Sequence, residues 1–281
     1  LPPYFCPMSR PIPGKILLFG EYALLEGGNA LSIPYPRFSG ILKYGFEDEA
    51  SKKSNLHIQR FSEFIITNFS EYFDTSGLIS AAFEREAFFD SNIPQGYGVG
   101  SSGALVAAII HEFGKNLPGD LQSKKKLFGA IESHFHGKSS GLDVLVCFEN
   151  APIRIENSKL KIAGSIDQSL FDRFELIDTH ELGLTTEMVA QFKAQGSRFK
   201  DEFRREYVTA GNLAIKAFLG GDENGLIPAL QRLSEFTFQN MSWTIPDSFY
   251  AAWEKSLSDE AVIYKLCGSG GGGFVLKYSI S

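Results

Sequence analysis

Four glycines and two serines stand directly before an apolar segment in the middle of this chain, in the run QGYGVGSSG at 95–103. The segment that follows, at 104–113, predicts a buried helix. The run then places free backbone N–H groups and the positive end of the helix dipole at one small volume. Glycines keep Cβ atoms away from a bound anion, and the serines add hydroxyls for a phosphate or a magnesium ion. We therefore predict a loop that binds a polyphosphate.

This loop lacks the residues of two common nucleotide-binding signatures. No Lys-Ser or Lys-Thr pair ends the run, as it does in the common P-loop, and no strand directly precedes it, as in a dinucleotide fingerprint. A flexible turn capped by a serine is the structural alternative, and the run by itself leaves both interpretations open.

The composition of the 281 residues indicates a globular protein with a sizeable core, since 43% are hydrophobic and 21% are charged. The net charge of −6 argues against broad binding to nucleic acid, which demands a basic surface. No apolar run is long enough for a membrane span, and the first residues, LPPYFCP, do not read as a secretory signal. We therefore expect neither a nucleic-acid nor a membrane partner.

Three cysteines, Cys6, Cys147 and Cys267, are too sparse and too widely spaced for a disulfide framework. Such a count is typical of a reducing compartment, so we expect a cytoplasmic protein. No CxxC pair indicates zinc, and His134 and His136 lie two residues apart, on different faces of a helix. A metal site built on histidines is therefore not expected.

Hydrophobic periodicity predicts a mixture of strands and helices. Strands are expected at 15–19, 31–33, 40–44, 174–178, 261–266 and 274–278, with a hairpin at 153–162 that turns near Asn157 and Ser158. Another strand, or a short helical entry into one, is expected at 142–148. Helices are expected at 61–73, 104–113, 121–134, 185–193, 199–218 and 226–241. This mixture indicates an α+β fold of two domains, which we place at residues 1–160 and 161–281.

Two charged residues border the first predicted strand. Lys15 opens it within PGKILLFGEY at 13–22, where its ammonium group can orient a catalytic carboxylate or steady a phosphate. Glu21 follows the far end of the strand and can bind a substrate hydroxyl. The structural alternatives are a solvated lysine at a strand edge and a glutamate that holds a turn.

Two carboxylates flank the polar loop of ESHFHGKSSGLD at 132–143. Magnesium prefers one or two carboxylates together with substrate phosphates, and a separate aspartate can take the proton of an acceptor hydroxyl. Glu132 and Asp143 can supply these two roles. Taken singly, Glu132 is better explained as a surface glutamate and Asp143 as an aspartate that caps the N-terminus of a helix.

Glycines crowd the end of the chain in GSGGGG at 268–273, directly after one predicted strand and before another. Five glycines in six residues cost much backbone entropy on folding. Such a run indicates close approach of the backbone to a ligand or to another loop, with a loose hairpin connection as the alternative.

Taken in order, these segments resemble the GHMP small-molecule kinases, a family named for galactokinase, homoserine kinase, mevalonate kinase and phosphomevalonate kinase. The order is Pro-Gly-Lys near the start, GVGSS in the middle and KLCGSGGGG at 265–273. Within the family, HGKSSGLD at 136–143 is similar to the mevalonate kinase pattern His-Gly-x-Pro-Ser-Gly-x-Asp. The spacing of Glu132 and Asp143 also fits that pattern.

The resemblance implies an ATP-dependent phosphotransferase that uses Mg²⁺ and acts on the hydroxyl of mevalonate or a related hydroxy acid. The alternatives are phosphomevalonate kinase or another kinase of the family and, less expected, a non-catalytic small-molecule sensor on the same fold. The implied fold has an N-terminal α/β domain with a left-handed-crossover-type layer and a C-terminal ferredoxin-like domain. A homodimer is a further expectation.

The resemblance also implies a role for each matching residue. Asp143 is the base or orienting carboxylate, Lys15 neutralises charge beside it, and Ser102 and Glu132 hold magnesium. The residues expected to bind ATP are Gly96, Gly98, Val99, Gly100, Ser101, Ser102 and Gly103. The residues expected to bind the substrate are Glu21, Tyr22, His136, Ser140, Thr185, Gly270 and Gly271, with Thr186 in place of Thr185 if the loop shifts by one.

Several positions depart from the family pattern. Tyr22 stands where the histidine of Phe-Gly-Glu-His is expected, and Gly103 follows the paired serines; both features are similar to phosphomevalonate kinases. Ser139 replaces the proline, and Leu184 stands where a basic or polar residue is common. We expect these changes to bear on the identity of the substrate more than on the reaction.

Overall fold

The computed structural model describes residues 10–183, 185–259 and 261–280, so Cys6 and Leu184 lie outside the described residues. The chain forms two compact units. Among the described residues, the first unit contains 10–15, Pro34–Pro94 and Gly100–Asn150, and the second contains Ile16–Ile33, Gln95–Val99 and those from Ala151 onward. The division at residue 160 that the sequence indicates stays a prediction.

Helices dominate the first unit, because its longest apolar segments have helical period. Its helices are α1 (Glu49–Phe69), α2 (Thr75–Ile79), α3 (Ser101–Phe113), α4 (Leu121–His136) and α5 (Leu142–Glu149). Two strands, β1 (Ile12–Phe19) and β2 (Ala30–Tyr44), belong partly to this unit. The second half of β2 pairs antiparallel with β3 (Ala87–Ser91), with Tyr44 opposite Ala87.

The core of the first unit is built on α3, which is apolar around most of its circumference. Eight of its side chains or backbone positions are buried, including Ala104, Val106 and Ile110. A helix that is apolar on most sides must be covered by neighbours, and α4 and α5 both pack against it. This packing fixes the start of α3 relative to residues on α4 and α5.

Of the two alternatives predicted at 142–148, a strand is wrong, and the helical alternative is right about the conformation although no strand follows within the segment, because all of it lies in the helix α5. Gly141 begins the helix with a left-handed φ of 72°, and Asn150 ends it with a φ of 47°. A short apolar run that is buried on all sides has the same sequence pattern in a helix and in a strand. Gly141 and Asn150, which favour a positive φ at the ends of a helix, indicate the helix, whereas the apolar pattern between them does not.

Other elements also differ from the prediction; for example, the strands predicted at 31–33 and 40–44 are one strand, β2. The helix α1 begins at Glu49 rather than at residue 61, because Asp48 and Ser51 form a capping box at its start. The strand β3 has no counterpart among the predicted elements, since only two of its five residues are buried. Without a repeated apolar alternation, an edge segment of this length gives little signal.

The second unit contains two antiparallel sheet regions. The first half of β2 pairs with β4 (Ile153–Glu156), which forms the predicted hairpin with β5 (Lys159–Ile162) through left-handed Asn157 and Ser158. A second sheet has the order β6-β8-β7, with β6 at Phe174–Asp178, β7 at Val262–Leu266 and β8 at Phe274–Ser279. The strands predicted at 174–178, 261–266 and 274–278 are therefore confirmed.

Six helices complete the second unit within the described residues. They are α6 (Gln168–Phe171), α7 (Thr185–Lys193), α8 (Ser197–Phe203), α9 (Thr209–Leu219), α10 (Glu223–Asn240) and α11 (Tyr250–Ser256). A wide turn of π-helix at Arg204–Val208 joins α8 to α9, so the predicted helix at 199–218 is continuous but not uniform. Its core is aromatic, with Phe203, Phe218 and Trp253 fully buried.

Helices and antiparallel sheets together confirm the predicted α+β class. None of the helices in the described part of the chain combines the length and the apolar character that a membrane span requires.

Candidate active site

The glycine loop turns sharply and leads straight into α3. Gly96, Gly98 and Gly100 all have left-handed backbones, with φ of 80°, 71° and 82°. Gly100 is the N-cap of α3, and no side chain caps the helix there. The first N–H groups of an α-helix have no partner within the helix, so this terminus can donate to an anion.

A side chain at Gly100 is excluded by space as well as by its φ. A Cβ at this position would lie 2.8 Å from Cγ of Lys15, which is closer than real Cβ atoms approach. Gly100 thus lies against the β1 lysine, and its backbone is the part that a ligand would meet.

Lys15 and Asp143 form an ion pair within the first unit. The Lys15 Nζ lies 2.9 Å from the Asp143 Oδ2. Lys15 lies inside β1, which begins at Ile12 rather than at Lys15, and only 9% of its side chain is exposed, against 36% for Asp143. The interpretation of Lys15 as a solvated lysine at a strand edge is therefore wrong. Its buried ammonium group contacts a carboxylate that remains partly exposed to solvent.

Close helix packing sets the position of Asp143. It stands in the first turn of α5, and a Cβ at Gly103 on α3 would lie 3.0 Å from the Asp143 carbonyl carbon. The glycine after the paired serines thus lets α3 and α5 touch by their backbones. This contact fixes the distance between the start of α3 and the aspartate.

Ser102 and Glu132 meet at the N-terminal end of α3. The Ser102 hydroxyl donates to Glu132 Oε1 at 3.0 Å, and the His136 Nε2 lies 3.0 Å from the same hydroxyl oxygen. Glu132 is on α4 and is only 4% exposed. The interpretation of Glu132 as a surface glutamate is therefore wrong. Burial, and then the charge of Asp143, raise the pKa of Glu132, while hydroxyl donors oppose that shift.

Ser139, which the sequence interpretation treated only as a departure from the family pattern, contacts Glu132. Its hydroxyl donates a hydrogen bond to Glu132 Oε2. Ser140, in contrast, is exposed and its Oγ accepts from the backbone N–H of Leu142 at 3.3 Å. The serine in place of the proline was the available signal in the sequence. That its partner is Glu132 could not be predicted, because this contact depends on the fold of the loop.

The oxygen donors of the first unit fit a magnesium ion. Ser102 and Glu132 offer one hydroxyl and one carboxylate, and Mg²⁺ commonly takes one or two carboxylates, substrate phosphates and water. Within the described ranges, no group of three His, Cys, Asp or Glu side chains could hold a metal by itself. A site of this kind therefore needs phosphate oxygens to complete it.

Glu21 pairs with a lysine inside the second unit. The Lys265 Nζ lies 2.6 Å from Glu21 Oε1, and both side chains are almost fully buried. Burial raises the pKa of Glu21, and the charge of Lys265 opposes that shift. Lys265 also donates to the Leu266 carbonyl at 2.5 Å. The ion pair joins the end of β1 to the end of β7, which the sequence interpretation did not foresee.

Tyr22 and Thr185 both contact Ser269, the second residue of the final glycine run. The Tyr22 hydroxyl donates to the Ser269 carbonyl at 2.5 Å, and the Ser269 hydroxyl donates to the Thr185 Oγ1 at 3.0 Å. Burial raises the pKa of Tyr22, and its backbone has a left-handed φ of 57°. The structure thus brings together three of the predicted site segments of the second unit.

The final glycine run packs against other loops of its own unit. Gly270, Gly271, Gly272 and Gly273 all have positive φ. A Cβ at Gly271 would lie 2.9 Å from Cγ of Met188, and side chains at Gly270 or Gly272 would overlap backbone carbonyls. The run connects the antiparallel strands β7 and β8, and close approach to other segments is confirmed as a reason for its glycines. The connection is therefore tightly packed and not loose.

Comparisons with known proteins find similarity to the family that the motifs resemble. Residues 63–150 match the model of the GHMP kinases N terminal domain. The mevalonate kinase of Archaeoglobus fulgidus is 29% identical over 145 residues, which make up 50% of this chain and 49% of that protein. The chain thus matches about half the length of that curated relative.

Solved structures extend the likeness of the fold over nearly the whole chain. L. major mevalonate kinase in complex with R-mevalonate has a TM-score of 0.64 at 16% identity, covering 98% of this chain and 88% of that one. Streptococcus pneumoniae phosphomevalonate kinase has a TM-score of 0.63 at 15% identity, covering 97% and 91%. These findings confirm the resemblance to the GHMP kinases and their two-domain α+β fold.

Proposed function

We propose that this chain, which has the GHMP kinase fold, transfers the γ-phosphoryl group of ATP to the hydroxyl of mevalonate and forms 5-phosphomevalonate. One observation carries the proposal: the Lys15–Asp143 and Ser102–Glu132 pairs lie on neighbouring elements at the start of α3. Phosphoryl transfer depends mainly on positioning and on stabilisation of charge, and these four side chains supply both.

Asp143 acts on the acceptor in this proposal. It aligns the acceptor hydroxyl and takes its proton during transfer. Lys15, with its Nζ 2.9 Å from Asp143 Oδ2, holds the carboxylate in place through their ion pair. The exposed part of Asp143 gives the hydroxyl a route to the carboxylate.

The glycine loop and the start of α3 bind the nucleotide phosphates. The residues proposed to do so are Gly96, Gly98, Val99, Gly100, Ser101, Ser102 and Gly103. Ser102 and Glu132 hold magnesium, which when bound neutralises charge on the phosphate oxygens. The N–H groups at the uncapped start of α3 donate to the same anion.

The choice of acceptor rests on sequence likeness. The 29% identical relative is a mevalonate kinase, and HGKSSGLD at 136–143 is similar to the mevalonate kinase pattern. Phosphomevalonate is the second candidate, because Tyr22 and Gly103 are similar to phosphomevalonate kinases. The substrate-binding roles of His136, Ser140, Glu21, Thr185, Gly270 and Gly271 stay predictions.

A panel of acceptors tests the proposal. The purified chain is given ATP and Mg²⁺ with mevalonate, phosphomevalonate, homoserine or galactose, and ADP release is followed by a coupled assay. We expect kcat/KM for mevalonate to exceed that for the other acceptors by about tenfold or more, since buried polar groups discriminate strongly. A preference for phosphomevalonate would contradict mevalonate as the acceptor and support the second candidate. ATP binding without ADP formation would indicate a non-catalytic sensor.

A further inference from the structure

Ser139 stands where the resembling family pattern has a proline, and it touches the carboxylate proposed to hold magnesium. The two oxygens of Glu132 have separate donors: Oε1 accepts from Ser102, and Oε2 accepts from Ser139. Glu132 is 4% exposed, so little water is available to replace either donor. The orientation of the carboxylate therefore depends on both hydroxyls.

The backbone around Ser139 holds its hydroxyl in place. The Gly141 N–H donates to Ser139 Oγ at 3.0 Å, which leaves the single hydroxyl proton for Glu132. A Cβ at Gly129 on α4 would lie 3.0 Å from the Ser139 carbonyl oxygen, so the loop lies directly on the helix that carries Glu132. Ser139 is thus held against α4, the helix that carries its partner Glu132.

A proline at this position has no hydroxyl and cannot donate to Glu132. The buried Oε2 would then lose a charge-assisted hydrogen bond, which is among the stronger kinds in proteins. Hydrogen-bond partners of a metal ligand orient that ligand, and their removal typically costs about 10-fold to 100-fold in metal affinity.

We propose that Ser139 is a positioning residue of the magnesium site, which holds Glu132 through Oε2 so that Oε1 and the Ser102 hydroxyl face the cation. This inference rests on the proposed function, because that function assigns Ser102 and Glu132 to the metal. It gives this chain a contact to the metal ligand that the proline of the family pattern cannot make.

The test compares Ser139→Ala, Ser139→Pro and Ser139→Thr with the unchanged chain. Binding of Mn²⁺ in the presence of ATP is measured by electron paramagnetic resonance, and the Mg²⁺ concentration for half-maximal ADP formation is measured beside it. We expect Ser139→Ala and Ser139→Pro to weaken Mn²⁺ binding about 10-fold or more, and Ser139→Thr to stay within about twofold because it keeps the hydroxyl.

Ser133→Ala is the matched control, since its hydroxyl lies next to Glu132 in the sequence but donates to the Ala130 carbonyl. Its Mn²⁺ affinity is expected to be unchanged. Unchanged affinity in Ser139→Ala, or an equal loss in Ser139→Thr, would overturn the inference. Should Ser139→Ala fail to fold, the comparison of Mn²⁺ affinity between Ser139→Thr and Ser139→Pro tests the inference instead. Tight Mn²⁺ binding that depends on Ser139, without ADP formation, would defeat the proposed function and leave this inference standing.

Discussion

His111 is a half-buried histidine whose environment opposes protonation. Its ring stacks on Phe148 with centroids 4.1 Å apart, and its Nε2 lies 2.9 Å from the Phe148 carbonyl oxygen. The same Nε2 also contacts the Arg10 guanidinium. Burial first, and then the Arg10 guanidinium, lower the pKa of His111 to about 4.

This histidine predicts a loss of stability in mild acid. The unfolded chain binds the proton near the ordinary His pKa of about 6.5, while the folded chain resists protonation down to about 4. The free energy of unfolding should therefore fall as the pH drops through this window. His111→Gln keeps a donor for Phe148 and should lose less stability between pH 7 and 4.5 in thermal unfolding. The exposed His57→Gln should retain the wild-type slope, and equal slopes for all three proteins would contradict the assignment.

The candidate residues of the site were predictable where residue type and order carry the chemistry. Lys15, Ser102, Glu132 and Asp143 stand out by their motifs, and the structure places them in two contacting pairs. The contact of Ser139 with Glu132 was not predictable, because it depends on how the loop after α4 folds back onto that helix.

At the scale of elements, the contact between α3 and α5 requires a glycine at 103. A Cβ there would lie 3.0 Å from the Asp143 carbonyl carbon and 3.1 Å from its Cβ. Gly103→Ala should push α5 away, destabilise the chain by about 1–3 kcal/mol and lower kcat by moving Asp143. Urea unfolding and the ADP-release assay measure the two effects.

Gly211→Ala is the matched control, because this position on α9 has open space for a methyl group. Alanine is the better helix former, so this variant should be more stable by about 0.4–1 kcal/mol with unchanged kcat. A Gly103→Ala variant with the stability and turnover of the wild type would show that the helices do not need their backbone contact.

Element prediction succeeded where a segment was long and periodic or carried a clear turn. The helices α3 and α4 and the hairpin at Asn157 and Ser158 are examples. It failed for α5, whose apolar run fits a helix and a strand equally, and for β3, which is short and only partly buried. In both cases neighbours in the fold, rather than local pattern, decide the conformation.

At the scale of the whole molecule, the order of the motifs predicted the fold better than any single segment did. The contacts that organise each unit join residues far apart in the sequence, such as Glu21 and Lys265, which are 244 positions apart. Local pattern holds no information about such pairs, whereas motif order reflects the whole fold. The homodimer, the cytoplasmic location and the domain boundary stay predictions.

The central claim is that Asp143 serves the acceptor while the glycine loop and Ser102 serve the nucleotide. Asp143→Asn keeps the shape of the side chain but removes the charge that faces Lys15 and accepts the proton. Asp90→Asn, which alters an exposed ion pair with Lys43, is the control and should leave turnover unchanged.

The most direct measurement is therefore kcat for ADP formation with mevalonate beside the Kd for ATP, in the wild type and in Asp143→Asn. The account predicts a fall in kcat of about 10²-fold to 10⁴-fold with the Kd for ATP within about threefold of the wild type. Near-wild-type turnover in Asp143→Asn, at an unchanged Kd for ATP, would contradict it.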